Sequence, residues 1–288
     1  MFLVTPRDQL DPAALTALRR DLEDNVEGDV RFERFFRGMH STDASVYQIV
    51  PLGVVAPRSR DDVVRVVELC SKHGASITAR GGGTSQAGQA IGPGLQLDFS
   101  RHMNRLLDLD IEGRTVRVEP GMVLDELNAR LKPHGLQLPL DLSTSSRATI
   151  GGMIANNSAG TRSIVYGKTI DYVEELEVVL ADATSVTMQA LDEDAQRDKF
   201  DRDDLEGTCY RLVQELATKH QDEIRIRYPK IQRRVGGYNL DEFTPSDKPL
   251  NLCRIMVGSE GTLGLTVAAK LRLVPLPECR IVCCVQFT

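Results

Sequence analysis

A run of glycines is the first feature of this sequence that could bind a ligand. Residues 81–83 are consecutive glycines, and hydroxyl and amide side chains follow them. Glycine has no Cβ, so the backbone of such a run can approach a ligand closely and direct successive N–H groups at an anion. The run favours a diphosphate-binding turn, and a turn without a ligand is the alternative. The candidate ligand-binding residues in and around this run are Arg80, Gly81, Gly82, Gly83, Thr84, Ser85 and Gln89.

Two familiar nucleotide-binding motifs do not fit this run. The step from Gly83 to Gly88 has the length found in a Walker loop, but Gln89 and Ala90 occupy the positions where that loop needs Lys and Ser or Thr. The G-x-G-x-x-G pattern of a Rossmann site is also missing after the preceding apolar segment. Kinase-like and Rossmann-type sites are therefore excluded.

A second segment, residues 139–167, concentrates hydroxyls, amides and glycines and contains no histidine. Such side chains hydrogen-bond a polar ligand, so the segment is predicted to form one wall of a binding site. Gly151 and Gly152 are expected to open a short helix whose N–H groups face the ligand. A loop of small residues between helices is the alternative, but it does not explain so many amides and hydroxyls.

A carboxylate framed by glycines forms a third segment. Glu260 and Gly261 lie within residues 258–264, where the sequence is G-S-E-G-T-L-G. A side chain on such a loop can approach a ligand, although a turn that carries a solvated acid fits the same pattern.

Composition excludes several classes of function. The 288 residues carry a net charge of −6, with 5% aromatic residues and no tryptophan, which argues against a nucleic-acid partner. No apolar run approaches the roughly 18 residues of a transmembrane segment, and the N-terminus lacks the pattern of a secretion signal, so a cytoplasmic protein is expected. The six cysteines form neither C-x-x-C pairs nor a Cys/His cluster, which favours free thiols.

Hydrophobic periodicity predicts how the glycine run is positioned. Residues 1–46 are expected to form a polar helical leader. A strand at 54–56, a helix at 59–74 and a strand at 76–80 then lead directly into the glycines, and a further strand is predicted at 95–99. The first lobe is therefore an alternation of strands and helices.

A second lobe is predicted from about residue 106 onward. A solvated charged stretch at 192–204 interrupts it, and Pro275 and Pro277 mark a boundary, after which an apolar strand is predicted at 280–287. The expected strands lie at 115–119, 176–181, 185–188, 254–257 and 265–274, and the expected helices lie at 124–131 and 209–227.

Five ordered motifs carry a resemblance to a known family. They are R-G-G-G-T from residue 80, V-E-P-G-x-x-L-x-x-L from 118, T-I-G-G-M-I-A-N-N-S-A-G from 149, Y-G-K-T from 166 and G-S-E-G-T-L-G from 258. From about residue 47 to 277 the sequence resembles the FAD-linked oxidases of the vanillyl-alcohol-oxidase superfamily, which have a PCMH-type FAD-binding domain. Residues 100–105, 142–149 and 233–240 are most similar to the large bacterial D-2-hydroxyglutarate-type dehydrogenases, which join this domain to a cap and an iron–sulfur domain.

The resemblance implies a role for each candidate site residue. Gly81 to Ser85 would surround the diphosphate of FAD, with Gln89 nearby, and Arg80 would also belong to the cofactor-binding set. Pro120 and Gly121 would lie near the adenine end of FAD. Glu260 and Gly261 would complete the pocket. Residues expected along the dinucleotide toward the flavin ring are Ser143, Thr149, Gly151, Gly152, Asn156, Ser158, Gly160 and Tyr166. Relatives with a covalent flavin carry histidine where Gly83 stands, so the resemblance implies noncovalent FAD.

The resemblance also implies the fold and the domain organisation. An α+β architecture of two lobes is expected, with a small α/β lobe at about 47–105 and a larger mixed or antiparallel sheet at 106–277. FAD would bind between the lobes. Residues 278–288 would begin a cap domain, and the catalytic histidine, the metal ligands and any iron–sulfur cysteines would follow residue 288.

The implied activity is the oxidation of a D-2-hydroxy acid of the 2-hydroxyglutarate, lactate or glycolate type by hydride transfer to FAD. Electrons would leave to an acceptor protein, a quinone or a fused iron–sulfur domain. Two alternatives stay open: a reductase of the same fold that acts on a UDP-sugar enolpyruvate, and a cofactor-binding module without catalysis. Because no catalytic residue or metal ligand is predicted within these 288 residues, FAD binding without turnover is expected.

Overall fold

The computed structural model describes residues 10–244, 248–279 and 281–287 of the chain. Its first lobe is built around a four-stranded sheet. The elements of this lobe are α1 (Pro12–Asn25), β1 (Asp29–Arg31), α2 (Arg34–Met39), β2 (Gly53–Ala56), α3 (Arg60–His73), β3 (Ile77–Arg80) and β4 (Leu95–Asp98). The strand order is β1-β2-β4-β3, with β2 and β3 parallel to β4 and β1 antiparallel to β2.

The helix α3 makes the parallel arrangement possible, because a parallel connection needs a crossover. Ser59 caps its start by accepting a hydrogen bond from the N–H of Asp62 at 3.2 Å, and Gly74 ends it in the left-handed conformation, with φ of 69°. Val63 and Val66 are fully buried on its inner face. The glycine run thus leaves the carboxyl end of a parallel strand, a common place for ligands in such sheets.

The second lobe is built on a five-stranded sheet in the order β5-β6-β10-β8-β9, antiparallel throughout. Two short strands, β7 and β11, form a separate pair. The elements are β5 (Leu106–Asp110), β6 (Thr115–Val118), α4 (Leu124–Leu131), β7 (Leu136–Gln137), α5 (Ile150–Asn156), α6 (Ser163–Tyr166), β8 (Val173–Val179), β9 (Ser185–Met188), α7 (Glu193–Phe200), α8 (Leu205–Lys219), α9 (Gln221–Arg227), α10 (Cys253–Met256), β10 (Leu265–Arg272) and β11 (Val274–Pro275).

The two lobes share a hydrophobic core. Val179, Leu265 and Val267 from the second lobe are buried in the same cluster as Val55 and Leu97 from the first. This packing fixes the crevice between the lobes, because burial of apolar surface favours a close and constant contact. The predicted α+β fold with two lobes is confirmed.

Several local predictions were wrong. The N-terminal segment is not helical throughout, because residues 29–31 form β1 and pair with β2; the leader is thus part of the first sheet. The charged stretch at 192–204 contains no buried residue, as predicted, and it includes α7, which Asp192 caps by accepting a hydrogen bond from the N–H of Ala195 at 2.8 Å. The predicted helix across 209–227 is two helices, α8 and α9, which meet at His220.

Two predicted strands near the C-terminal end are not strands. Residues 253–256 form the short helix α10, where the side chain of Asn251 accepts a hydrogen bond from the N–H of Cys253 at 2.9 Å. Short apolar runs fit either structure, so periodicity alone could not decide. Residues 281–287 contain no strand, and Val282 is 89% exposed. An alternating pattern forms a strand only where a neighbouring strand pairs with it, and within 281–287 there is no such pairing. Across the described residues, no helix is both long and apolar enough to cross a membrane.

Candidate functional site

Two adjoining cavities lie in the crevice between the lobes. One, the polar cavity, has an empty volume of about 780 Å³ and is lined by hydroxyl and amide side chains, including Ser85, Gln89 and Ser158. The other, the apolar cavity, has an empty volume of about 510 Å³ and is lined by Phe99 and Leu265, among others. Because the two cavities share lining residues, they can hold one elongated ligand that has both polar and apolar parts.

The glycine run forms one side of the polar cavity, and several of its backbone N–H groups are unpaired. The N–H groups of Gly82, Gly83 and Thr84 donate no hydrogen bond to any residue in the described ranges. Gly83 has φ of 64°, which is a conformation that side chains other than glycine rarely adopt. Successive unpaired amides of this kind form a concave anion site.

The run also packs tightly against the second lobe. A Cβ on Gly81 would lie 2.0 Å from Oγ1 of Thr149, and a Cβ on Gly82 would lie 2.1 Å from the carbonyl oxygen of Arg147. Residues 147–149 therefore fill the space that any side chain at 81 or 82 would occupy. The absence of side chains serves lobe packing as well as ligand approach.

The side chain of Arg80 connects the start of the glycine run to two neighbouring loops. Its guanidinium donates hydrogen bonds to the carbonyl oxygens of Ala90 at 3.0 Å and Thr42 at 2.9 Å. Burial lowers the pKa of Arg80, while the nearby charges of Asp98 and Asp43 oppose that shift. These two hydrogen bonds hold the loop, and the role of Arg80 toward FAD stays a prediction.

The start of α5 forms a second wall, but its donors are not available in the way predicted. The N–H of Ile150 bonds the carbonyl oxygen of Met122 at 2.8 Å, and the N–H of Gly151 bonds that of Pro120 at 2.8 Å. Thr149 is the N-cap, and its Oγ1 accepts from the N–H of Gly152 at 3.4 Å. The short helix exists, as predicted, but the expectation that its first N–H groups face the ligand is wrong.

The loop at residues 258–264 closes the polar cavity. The N–H of Glu260 bonds the carbonyl oxygen of Ala155 at 2.8 Å, and the N–H of Gly258 bonds that of Ile154 at 2.9 Å, so the loop is tied to α5. Glu260 has φ of 55°, in the left-handed region. Partial burial raises the pKa of its carboxyl above the ordinary value.

Most of the residues proposed from sequence come together around these cavities. The apolar cavity is lined by Arg80, Pro120 and Gly151 from that set. The polar cavity, partly shared with it, is lined by Gly81, Gly82, Gly83, Thr84, Ser85, Gln89, Thr149, Gly152, Asn156, Ser158, Glu260 and Gly261.

Four proposed residues do not line either cavity. Gly121 packs on the backbone of residue 99, where a Cβ would lie 2.1 Å from the carbonyl oxygen, and Gly160 packs on the backbone of residue 141. Ser143 is exposed. The carbonyl oxygen of Tyr166 accepts a hydrogen bond from the hydroxyl of Tyr172 at 2.6 Å. The roles of these four toward FAD stay predictions.

Sequence reasoning missed the apolar part of the site. Phe99, Ile154, Met256 and Leu265 line the apolar cavity, yet in the sequence they are indistinguishable from ordinary core positions. Only Phe99, at the end of β4, follows a strand at the edge where ligands commonly bind. In the described ranges there is no group of three or more His, Cys, Asp or Glu residues that could hold a metal ion. His102 lies 3.2 Å from Asp29, away from both cavities.

These features fit FAD. A diphosphate suits the polar cavity, because three unpaired backbone amides border it and the glycines there leave no room for a Cβ. The adjoining apolar cavity suits an aromatic ring system. Comparison with known proteins agrees, since residues 51–189 match the family described as FAD binding domain.

Curated relatives extend the match along the chain. D-2-hydroxyglutarate dehydrogenase of Pseudomonas putida is 38% identical over 280 residues, which is 96% of this chain and 28% of that protein. The enzyme of the same name from Escherichia coli is 40% identical over 248 residues, or 83% of this chain and 24% of that protein. Glycolate oxidase subunit GlcD of Bacillus subtilis is 34% identical over 258 residues, or 88% and 44%. The chain thus spans about a quarter of the length of the two dehydrogenases.

Solved structures show the same fold. Alkyldihydroxyacetonephosphate synthase matches with a TM-score of 0.62 and 21% identity, over 94% of this chain and 45% of that one. The chain thus shares its fold with this structure, and residues 51–189 are similar to the FAD binding domain family.

Proposed function

We propose that this chain is the FAD-binding part of an oxidoreductase that oxidises a D-2-hydroxy acid. The observation that carries the cofactor assignment is the set of unpaired amides at residues 82–84, which borders the polar cavity. The substrate class is supported by the names of the relatives, which are 2-hydroxyglutarate dehydrogenases, a glycolate oxidase subunit and D-lactate dehydrogenases. The proposed FAD-binding domain covers residues 47–277, with an N-terminal segment before it that adds β1 to the first sheet and the start of a cap after it.

The chain's own residues would bind and orient the cofactor. Residues 81–85 and Gln89 would hold the diphosphate through backbone amides and hydroxyls, and Asn156 and Ser158 would hydrogen-bond the polar chain of the dinucleotide. The apolar cavity would exclude water from a ring system. FAD, when bound, supplies the hydride acceptor for the oxidation of the alcohol carbon. Gly83 offers no side chain for a covalent bond, so binding is proposed to be noncovalent.

The cofactor proposal is tested by its spectrum. Purified chain, mixed with FAD and desalted, is expected to show the two absorption bands of oxidised flavin and to release the flavin into the supernatant on acid precipitation. Absence of any retained flavin would contradict the site. Flavin that stays with the precipitate would contradict the noncovalent attachment alone.

The substrate proposal is tested by anaerobic reduction. A protein that carries this domain within the full length found in the dehydrogenase relatives is expected to lose its flavin absorbance on mixing with D-2-hydroxyglutarate, D-lactate or glycolate, and not with NADPH. Bleaching by NADPH alone would favour the reductase alternative. The electron acceptor is proposed to be a protein, a quinone or an iron–sulfur domain, and a cytoplasmic location is proposed with it; reoxidation assays and cell fractionation test these two points.

A further inference from the structure

Glu260 adopts a conformation that calls for an explanation. Its φ of 55° lies in the left-handed region, where the Cβ of a residue other than glycine comes too close to the following carbonyl oxygen. Its neighbours Gly258 and Gly261 have φ of 87° and 76°, so glycine is used nearby for similar backbone geometry. Retaining a glutamate at such a position indicates that the side chain has a use, since strained residues cluster at functional sites.

The side chain of Glu260 lies at the rim of the polar cavity without a partner. Among the described residues it makes no hydrogen bond or ion pair through its carboxyl. Its backbone N–H is already used, because it donates to the carbonyl oxygen of Ala155 at 2.8 Å. The carboxyl is therefore available to a ligand in the cavity that it lines.

The charges around the polar cavity give that carboxyl an unusual setting. Within the described chain, Glu260 is the single ionisable side chain that lines this cavity. Arg80 lines the apolar cavity and packs against Gly83, where a Cβ would lie 2.5 Å from its Nη2, and its guanidinium is bound to the carbonyl oxygens of residues 42 and 90. Arg147 contacts the glycine run through its backbone carbonyl oxygen. Near residues 258–264, the hydroxyl of Tyr238 is hydrogen-bonded to Oγ1 of Thr262 at 2.8 Å.

We propose that Glu260 couples FAD binding to proton uptake, with its carboxyl ionised in the free chain at neutral pH and neutral in the complex. A diphosphate held by backbone amides brings negative charge into the same small cavity, and the described residues that line this cavity include no lysine or arginine to compensate for a second anion. Two like charges in one site favour protonation of the weaker acid. The inference rests on the proposed function, because it requires FAD to occupy this cavity.

Partial burial already raises the pKa of Glu260 in the free chain. A bound anion would raise it further, since burial and like charge both favour the neutral form. Between the pKa of the free chain and that of the complex, the dissociation constant for FAD is then expected to increase by up to about tenfold for each pH unit. Outside this interval, the affinity is expected to be independent of this group.

The test measures FAD binding to the wild-type chain, Glu260→Gln and Glu112→Gln from about pH 5 to about pH 8, a range that begins near the ordinary pKa of a glutamate carboxyl and extends above it. Glu112 is an exposed residue in a turn, so it controls for the loss of one negative charge. Glu260→Gly is included because glycine adopts the left-handed conformation readily, so this variant removes the carboxyl without adding strain. Calorimetry in two buffers of different ionisation enthalpy counts the protons taken up.

Wild type and Glu112→Gln are expected to lose affinity as the pH rises and to take up a proton on binding. Glu260→Gln and Glu260→Gly are expected to bind with little pH dependence and, near pH 8, at least as tightly as wild type. Weaker binding by both Glu260 variants at every pH would overturn the inference, because it would make the carboxylate a hydrogen-bond acceptor. Parallel pH profiles for all four proteins would also overturn it. Failure of wild type to bind FAD at any pH would instead refute the proposed function.

Discussion

Replacing Gly82 with alanine tests whether the contact between the lobes shapes the cofactor site. The new Cβ would lie 2.1 Å from the carbonyl oxygen of Arg147 and 3.0 Å from its carbonyl carbon. Real Cβ contacts are essentially never below 3.0 Å, so one of the two backbones must move by roughly 0.9 Å. Neither atom belongs to a flexible side chain, so the site cannot absorb the change by a rotamer shift.

The expected magnitude follows from that displacement. Overpacking a tight contact costs about 1–3 kcal/mol. If the cradle moves and the whole cost is expressed in binding, the affinity for FAD falls roughly 5- to 150-fold. If the crevice opens instead, the cost is expressed in the free energy of unfolding. Titration with FAD by flavin fluorescence and unfolding in urea measure the two quantities separately.

Gly38→Ala is the matched control. Gly38 lies within α2, and a Cβ there would meet nothing within 4 Å. This variant is expected to gain about 0.5–1 kcal/mol of stability and to bind FAD like wild type. The reasoning would be refuted if Gly82→Ala retained both wild-type affinity and wild-type stability, because the close approach at residue 147 would then have no energetic consequence.

Three further predictions follow from the same structure. Thr149→Ala is expected to cost about 1 kcal/mol in urea unfolding because it removes the N-cap of α5, and Thr149→Ser is expected to restore most of it. FAD affinity is expected to change less than about tenfold between 50 and 200 mM salt, since the polar cavity has no lysine or arginine among the described residues that line it; a steep salt dependence in the same titration would show that a lysine or arginine binds the diphosphate. Hydrogen bonds from Lys72 and His73 lower the pKa of Asp21 from 3.8 to about 2, so its contribution is present above the ordinary value and is lost as the pH falls toward 2. Asp21→Asn should therefore lower the melting temperature at neutral pH, and the difference from wild type should disappear near pH 2.

Local signals in the sequence were sufficient to predict many of the elements that carry the site. The Ser59 cap and Gly74 stop bound α3 as observed, because capping depends on residues within one turn of the helix end. The glycine run was identifiable because its chemistry depends on the missing Cβ atoms of adjacent residues. The short helix after Thr149 followed from the same kind of local signal.

Hydrogen-bond partners of the site could not be predicted in the same way. The sequence predicted that the N–H groups of Ile150 and Gly151 are available to a ligand. In the structure they donate hydrogen bonds to the carbonyl oxygens of residues 122 and 120. The guanidinium of Arg80 bonds the carbonyl oxygens of residues 42 and 90, which its position in the sequence does not reveal. Each outcome depends on which distant carbonyl oxygen the fold brings within hydrogen-bond distance.

By itself the sequence revealed a glycine run after a strand, a segment rich in hydroxyls and amides, and a carboxylate between glycines. The order of five motifs also predicted a likeness to FAD-linked oxidases, and residues 51–189 match the FAD binding domain family. Only the tertiary structure placed residue 260 in the same cavity as residues 81–83, and only packing of β10 between β6 and β8 made that possible. Such contacts join segments far apart in sequence, and they are set by the shared core of the two lobes, which no local pattern encodes.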